Sequence, residues 1–287
     1  MFIVSRLKQP IKMLRWRARR ALAARRWGKE KLTQMPIVIG NAMPKSGSHL
    51  LIQVLLGLTR IGPFVDPGLP PLTRSSSNRN LPDAAVLANL HRLAPGDIAY
   101  AYLHAREPYL SELNRAVVAA FFLYRDPRDL IISHIFYATE LHPKHGMHAF
   151  YKQKLNNMEE RINAAIEGVQ LPEAQLSSIR AKYERYLAWL EQANVLPLRF
   201  EDLILRRSST LNTILDHLAG HGYEAQLPRD EAILALEVAI SPAASGTFRR
   251  GQPGEWQEHF TAGNKRAFKT ATGDLLQKLG YEKNTKW

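Results

Sequence analysis

Apolar runs and helical periodicities alternate along this chain. Four short apolar runs predict strands, and the run at 117–124 is apolar on both faces, as a central strand of a parallel sheet is. Between these runs, apolar residues recur every three or four positions and predict helices. The alternation predicts one α/β domain with a mostly parallel central sheet flanked by helices. Predicted strands lie near 36–41, 98–103, 117–124 and 195–200, and predicted helices at 50–58, 84–91, 175–192, 211–218 and 231–240.

The first predicted strand leads into a loop of small residues at 41–47 and then into a helix. Such a loop directs backbone N–H groups and the positive end of a helix dipole at one point, which favours a phosphate or sulfate there. Lys45 adds a full positive charge. The loop is not a Walker A sequence, because Pro44 precedes Lys45 and Gly40 stands one position too close to it. This segment alone fits either an anion site or an ordinary strand–turn–helix with a solvated lysine, and it disfavours Mg-ATP.

Two further segments carry basic residues in a similar setting. Arg125 follows the strand at 117–124, and Pro127 stands where the next helix begins. Ser133 lies eight positions after Arg125, about two helical turns, so a guanidinium and a hydroxyl can reach one phosphate. Near the C-terminus, the flexible loop at 246–251 combines glycines with two arginines and suits closing over a phosphate.

Together the three segments resemble the signatures of the PAPS-dependent sulfotransferases: a PKSGTTW-like loop, an R-x7-S pair and a late RKGxxGDW-like loop. The resemblance runs from Pro36 to the C-terminus, and the order and spacing agree. It implies a P-loop-like sulfotransferase fold, PAPS as sulfuryl donor and no required metal. For the 5′-phosphosulfate it implies Lys45, Ser46, Gly47, Ser48 and His49, and for the 3′-phosphate Arg125, Ser133, Arg249, Arg250 and Gly251.

The same resemblance assigns the two catalytic roles. His104 follows the strand at 98–103 and precedes Arg125 by 21 positions, as a THLP-like histidine does in cytosolic members. Since ligands gather at the carboxyl ends of parallel strands, His104 is predicted to meet the Lys45 loop and to accept the acceptor's proton. Lys45 is predicted to neutralise or protonate the bridging oxygen as charge grows there. Glu107 is the fallback base, because carbohydrate-acting relatives use a glutamate.

Several positions depart from the family pattern. His49 replaces a threonine of the loop, Leu50 replaces the tryptophan that often stacks on adenine, and Tyr102 replaces a lysine. Phe200 stands before Glu-Asp where a tyrosine often touches the adenine, so an aromatic face remains without the hydroxyl. These departures indicate a distant, bacterial-type member.

Composition limits the remaining interpretations. The chain has no cysteine, which excludes disulfides and thiolate metal sites and fits a reducing compartment. Its net charge of +13 is concentrated at one end, because residues 1–31 hold eleven Lys or Arg and one acid. The remainder has 28 bases against 25 acids, so a nucleic-acid-binding face is not expected.

The basic end predicts a separate segment at 1–34 before a sulfotransferase domain at 35–287. Apolar residues such as Leu14 and Leu22 recur at helical spacing among arginines. This pattern fits either peripheral attachment to an anionic membrane or a self-packed surface helix. The apolar stretch is too short to span a membrane. The predicted location is the cytoplasm, with contact at the inner face of a membrane as an option.

Two loops are expected to border the acceptor. The segment from Gly62 to Asp83 is rich in Pro, Gly, Ser and Asn and is predicted to cover the acceptor as a lid. His142, His145 and His148 match no zinc spacing and are predicted to lie in a loop at the acceptor mouth.

The acceptor stays open as a small molecule, a lipid or a carbohydrate. Two other functions are weighed against sulfuryl transfer: a P-loop kinase or NTPase, and a non-catalytic PAP-binding protein at a membrane.

Overall fold

The computed structural model describes residues 2–241 and 249–287, with side chains from residue 13 onward. Its centre is a parallel sheet in the order β2-β1-β3-β6, with two helical layers around it. A two-stranded antiparallel hairpin, β4-β5, stands apart from the sheet. The strands are β1 Ile37–Ala42, β2 Ile98–Ala101, β3 Val118–Tyr124, β4 Val169–Leu171, β5 Ala174–Leu176 and β6 Val195–Arg199.

The helices occupy most of the chain between the strands. Two π-helical turns, Tyr137–Leu141 and Phe150–Lys154, follow the sixth helix, and a 3₁₀ turn covers Leu187–Glu191. The α-helices are α1 Phe2–Trp27, α2 Lys29–Gln34, α3 Ser48–Ile61, α4 Asp83–His91, α5 Tyr109–Leu113, α6 Pro127–Phe136, α7 Met158–Glu167, α8 Ile179–Glu184, α9 Phe200–Leu205, α10 Arg207–Gly220, α11 Arg229–Ala239, α12 Trp256–His259, α13 Ala262–Thr272 and α14 Leu275–Lys278.

The sheet is buried on both faces, which explains its continuous apolar runs. All seven residues of β3 are buried. Successive side chains of a strand point to opposite faces, so Phe122 packs into one core with α6, α7 and α8, while Phe121 packs into the other with α3, α10 and α11. The predicted fold class and the four sheet strands are confirmed.

One predicted helix is wrong. The periodicity at 175–192 indicated a single long helix, but the chain forms the end of a hairpin, α8 and a 3₁₀ turn there. Gln175 pairs with Gln170 across the hairpin, and the Ser178 side chain accepts the N–H of Ala181 as the N-cap of α8. The apolar residues of this stretch recur every three or four positions whether the chain is in the hairpin, in α8 or in the 3₁₀ turn, so their spacing did not separate these elements.

The basic helix α1 packs against the domain through polar side chains. Trp16 Nε1 and Arg20 both donate to the carboxylate of Asp97, at 3.0 and 2.8 Å, and Asp97 is 0% exposed. Arg19 donates to Asp66. Leu14 and Leu22 instead face outward, 69% and 66% exposed. Among the described residues, no helix has the length and apolar character to cross a bilayer.

Candidate active site

The loops that follow β1 and β3 meet the loop before α12 in one cleft of about 660 Å³. The carboxyl ends of adjacent parallel strands meet at one sheet edge, and β1 is hydrogen-bonded to β3. Most of the residues predicted to bind the donor line this cleft: Lys45, Gly47, Ser48, His49, Arg125, Ser133, Phe200, Arg249, Arg250 and Gly251.

The first loop turns sharply before α3. Gly47 has φ +93°, and a Cβ there would lie 2.4 Å from Cδ2 of Phe200, so only glycine fits. Lys45 also has a positive φ, 72°. The Ser46 hydroxyl donates to the carbonyls of Met43 and Leu123, at 2.6 and 3.1 Å. Ser46 is fully buried, and its hydroxyl ties the loop to β3 rather than facing the cleft.

Lys45 lines the cleft together with Arg125 and Arg249. Its ammonium lies 3.6 Å from the ring centroid of Tyr137, a cation–π contact. Burial, followed by the positive charges of Arg125 and Arg249, lowers the pKa of Lys45 to about 8. An anion in the cleft would favour the protonated lysine and would reverse this destabilisation.

Arg125 leaves β3 with an incompletely paired guanidinium. It lies 4.5 Å above the ring of Phe200, and one of its terminal nitrogens is 3.5 Å from Asp129. Its Nε is buried and has no hydrogen-bond partner among the described residues. The Tyr183 hydroxyl donates to the Arg125 carbonyl at 2.6 Å and fixes the backbone. A buried donor without a partner is costly unless a ligand satisfies it.

The third loop is attached to the second through Asp129. Its carboxylate accepts the N–H groups of Gly254 and Trp256, at 2.7 and 2.9 Å. Arg128 lies over the ring of Trp256 and pairs with Asp126 at 2.6 Å. Arg128 and Asp129 therefore have structural roles that hold the loops together.

The two arginines of the third loop differ in exposure. Arg249 pairs with the buried carboxylate of Glu255 and lies 4.1 Å above the ring of Phe136. Arg250 is half exposed and donates to Glu258 at 2.8 Å. The remainder of this loop, at 242–248, lies outside the described residues.

His104 is not among the residues that line the cleft. It is half-buried after β2, with its ring edge-on to Tyr186 at 5.1 Å. Burial, then Arg185 and Arg106, lower its pKa, while Asp83 opposes them. Tyr102, two residues earlier, does reach the cleft and donates to the Ser48 hydroxyl at 3.0 Å. The structure thus brings the predicted donor residues together but does not bring the predicted base into the same cleft.

The sequence did not point to two polar lining residues, His134 and Lys182. His134 is 7% exposed, and its Nε2 has no hydrogen-bond partner among the described residues. Lys182 lies on α8, and a lysine on a helix is ordinarily exposed to solvent. The one available signal was the position of His134 directly after Ser133, between the apolar residues Leu130–Ile132 and Ile135–Phe136 of α6. The predicted lid contributes Arg74 and Asn78 to the lining, and His145 is the member of the histidine cluster that reaches it.

The cleft is strongly cationic. The single carboxylate among its described lining residues is Glu255, and that group is paired with Arg249. The cations are Lys45, Arg74, Arg125, Lys182, Arg249 and Arg250. Such a cleft favours a ligand with several negative charges. No three His, Asp or Glu side chains within residues 2–241 and 249–287 are grouped as ligands of a metal ion would be.

Comparison with known proteins agrees with this geometry. The sulfotransferase domain family matches residues 120–280 of the chain. The crystal structure of mouse sulfotransferase SULT7A1 complexed with PAP has 16% identity and a TM-score of 0.56, over 90% of this chain and 91% of that chain. Retinol dehydratase in complex with androsterone and inactive cofactor PAP has 16% identity and a TM-score of 0.56, over 86% and 83%. Retinol dehydratase with retinol and PAP has 16% identity and a TM-score of 0.53, over 86% and 84%. No curated protein sequence matches the chain significantly.

These similarities define a class of enzyme. The solved structures share the fold, and the family match covers more than half of the chain. The chain belongs to the sulfotransferase domain family. The family that the three loop motifs predicted is therefore confirmed.

Proposed function

We propose that this cleft binds PAPS and transfers its sulfuryl group to a hydroxyl or amine of a small acceptor. The observation that carries the proposal is that Lys45, Arg125 and Arg249 converge in the cleft. The described residues that line it include a single carboxylate, which cannot balance the three positive charges. PAPS carries charge at its 3′-phosphate and at its 5′-phosphosulfate. The buried Arg125 Nε and the lowered pKa of Lys45 are both features that a bound anion would relieve.

The donor contacts divide between the loops. The amides and side chains of Lys45, Gly47, Ser48 and His49 would hold the phosphosulfate end at the N-terminus of α3. Arg125, Ser133, Arg249, Arg250 and Gly251 would hold the 3′-phosphate. The resemblance assigns the adenine to Phe200, which is 5% exposed and whose ring lies 4.5 Å from the Arg125 guanidinium. Ser46 would act indirectly, by attaching the first loop to β3.

Bound PAPS supplies a sulfuryl group on a good leaving group. Lys45 would neutralise the negative charge that grows on the bridging oxygen, a contribution of about 3 kcal/mol in comparable sites. By holding both partners, the cleft converts an encounter into an aligned displacement.

The resemblance assigns the acceptor's proton to His104. Its support is the position after β2, beside Tyr102, and a lowered pKa that keeps the imidazole neutral near pH 7. Because His104 does not line the cleft, this role requires the reacting hydroxyl of the acceptor to lie within hydrogen-bond distance of the imidazole as well as in line with the sulfur. Glu107, the fallback, is exposed and its carboxylate accepts from Ser111 at 2.7 Å.

The test is direct. Purified protein is mixed with PAPS and an acceptor panel of phenols, alcohols, lipids, sugars and amines, and released PAP is measured with and without EDTA. We expect PAP release that is lost in Lys45→Ala and in Arg125→Ala. Mg-dependent hydrolysis of ATP would favour the NTPase alternative. Tight PAP binding without transfer to any acceptor would favour the non-catalytic alternative.

The acceptor is proposed to be a small molecule. Androsterone and retinol are bound in two of the similar structures, and Arg74 and Asn78 of the predicted lid border the cleft here. Lipid and carbohydrate acceptors remain part of the panel.

A membrane role for α1 is proposed separately. Its outward leucines, Leu14 and Leu22, stand among arginines while Arg20 anchors the helix to the domain. This arrangement suits peripheral contact with an anionic surface.

We expect the full chain to co-sediment with vesicles that contain phosphatidylglycerol and the Leu14→Asp, Leu22→Asp double variant to remain in the supernatant. Leu205→Asp is the matched control, since Leu205 is also 69% exposed. Equal sedimentation of all three proteins would contradict a membrane role for α1.

A further inference from the structure

Beyond the residues proposed to hold the donor, the cleft contains a second polar cluster. His134, His145 and Lys182 all line it, and the rings of the two histidines lie 5.2 Å apart. His134 is perturbed by the charges of Lys182, His145 and Lys45. His134 is therefore near both Lys45 and Lys182, and the cluster shares the cleft with the residues proposed to hold the donor.

Lys182 is the unusual member of this cluster. No carboxylate among the described residues lies close enough to pair with it, and the charged neighbour that most affects it is another cation, Arg185. Burial and Arg185 lower its pKa to about 8. A desolvated lysine without an anion partner is unfavourable, so its presence in a cleft points to an anionic ligand.

The two histidines present uncharged hydrogen-bonding groups. His145 Nδ1 accepts the N–H of Met147 at 3.1 Å, so neutral His145 carries its proton on Nε2 and can donate. His134 Nε2 is buried and unpartnered among the described residues, and burial lowers the pKa of His134 well below its ordinary value. Both rings can bond a polar ligand without adding charge.

A second cation approaches the same end from the predicted lid. Arg74 lines the cleft and is close enough to Tyr186 to affect its ionisation, and Tyr186 lies one turn beyond Lys182. The described residues around this end therefore contribute Lys182, Arg74 and Arg185 with no lining carboxylate.

We propose that His134, His145 and Lys182 form the acceptor subsite, and that the acceptor carries an anionic group, a carboxylate, sulfate or phosphate, on the same molecule as the hydroxyl it presents. Lys182 binds the anionic group, and the histidines hydrogen-bond the polar groups beside it. This inference rests on the proposed sulfuryl transfer and names its substrate class.

The experiment compares matched acceptors that differ in one carboxylate. Cyclohexanol is paired with 4-hydroxycyclohexanecarboxylate, and methyl xyloside with methyl glucuronoside. For each pair, transfer from PAPS and calorimetric binding to the PAP-loaded protein are measured in wild type, Lys182→Met and Lys283→Met. Lys283 is an exposed lysine outside the cleft and serves as the control.

We expect wild type to prefer the carboxylated member of each pair by about tenfold or more, the ratio that a charge-assisted hydrogen bond gives. Lys182→Met should lose that preference through KM or Kd, while PAP affinity stays unchanged. The same variant should melt at a higher temperature than wild type, because an unpaired crowded ammonium has been removed, which separates a ligand role from a structural one. Lys283→Met should behave as wild type.

The possible contradicting outcomes bear on different claims. Equal response to both members of the pairs in wild type, or an unchanged preference in Lys182→Met, would overturn the anionic-acceptor subsite. A protein that fails to bind PAP would overturn the proposed function itself. Weakened PAP binding in Lys182→Met would overturn the acceptor assignment of that lysine, because it would belong with the donor instead.

Discussion

At the scale of single residues, the donor side of the cleft depends on steric fit and on charge crowding. Gly47 allows the first loop to contact Phe200 directly, and Phe200 in turn lies beneath Arg125. Lys45 is held near two arginines at a cost that a bound anion removes.

Gly47→Ala should displace Phe200, because the new methyl group would lie 2.4 Å from its ring and the backbone has φ +93°. We expect a loss of about 1–3 kcal/mol in the free energy of unfolding, measured in urea, together with weaker PAP binding. Gly146→Ala is the control, since nothing lies within 4 Å of the position that its new methyl group would take. Equal stability of the two variants would contradict the steric account.

The pH dependence of PAP binding should follow Lys45. Its pKa is about 8 in the free protein and rises when an anion binds, so binding above pH 8 must take up a proton. PAP affinity is therefore expected to fall as the pH rises from about 7.5 to about 9.5. Calorimetry in buffers of different ionisation enthalpy should detect the uptake, and Lys45→Met should lose most of it. Release of protons when PAP binds would contradict this prediction.

At the scale of elements, loops rather than helices or strands make the cleft, and buried polar groups hold the loops to one another. Asp129 on α6 connects the Arg125 loop to the loop before α12 through two backbone N–H groups. Ser46 connects the first loop to β3.

Asp129→Asn should loosen the third loop without unfolding the domain. The amide cannot accept both N–H groups of Gly254 and Trp256 as the carboxylate does, and Arg125 loses its nearby negative charge. We expect PAP binding to weaken by about tenfold and amide exchange to rise at 254–256, measured by mass spectrometry. Asp230→Asn, on the exposed start of α11, should change neither quantity.

The elements also show what the sequence could predict. Strands buried on both faces leave unbroken apolar runs, and the spacing of Arg125 and Ser133 placed both in the cleft. The division of 175–192 depended on the Ser178 cap and on hairpin pairing, which apolar spacing does not encode. Lys182 was missed because a lysine on a helix is ordinarily solvated, and only tertiary packing places this one in the cleft. Likewise, whether His104 lines the cleft depends on how the chain turns after β2, which the sequence pattern does not indicate.

At the scale of the whole molecule, α1 belongs to the folded body at its C-terminal half. Asp97 is buried and accepts from Trp16, Arg20 and the N–H of Ala94, at 3.0, 2.8 and 2.9 Å. The division into a segment at 1–34 and a domain at 35–287 stays a prediction, and these contacts join the two.

Asp97→Ala should release α1 from the domain. Arg20 would lose a buried partner, so we expect a loss of about 3 kcal/mol in the free energy of unfolding and faster tryptic cleavage at Arg15–Arg26. Asp66→Ala is the matched control, because its pair with Arg19 is exposed and should contribute less than about 1 kcal/mol. Equal cleavage in the two variants would show that Asp97 does not hold the helix.

The attachment of the first loop to β3 through Ser46 has a consequence for ligand discrimination. Because β1 and β3 are immediate neighbours in the sheet, their hydrogen bonds fix the distance between the two loops that are proposed to bind the 5′ and 3′ ends of the donor. A regioisomer such as adenosine 2′,5′-bisphosphate would present its second phosphate at another distance, and the rigid framework offers little adjustment. The enzyme is thus expected to tell the isomers apart by geometry, with no change in total charge.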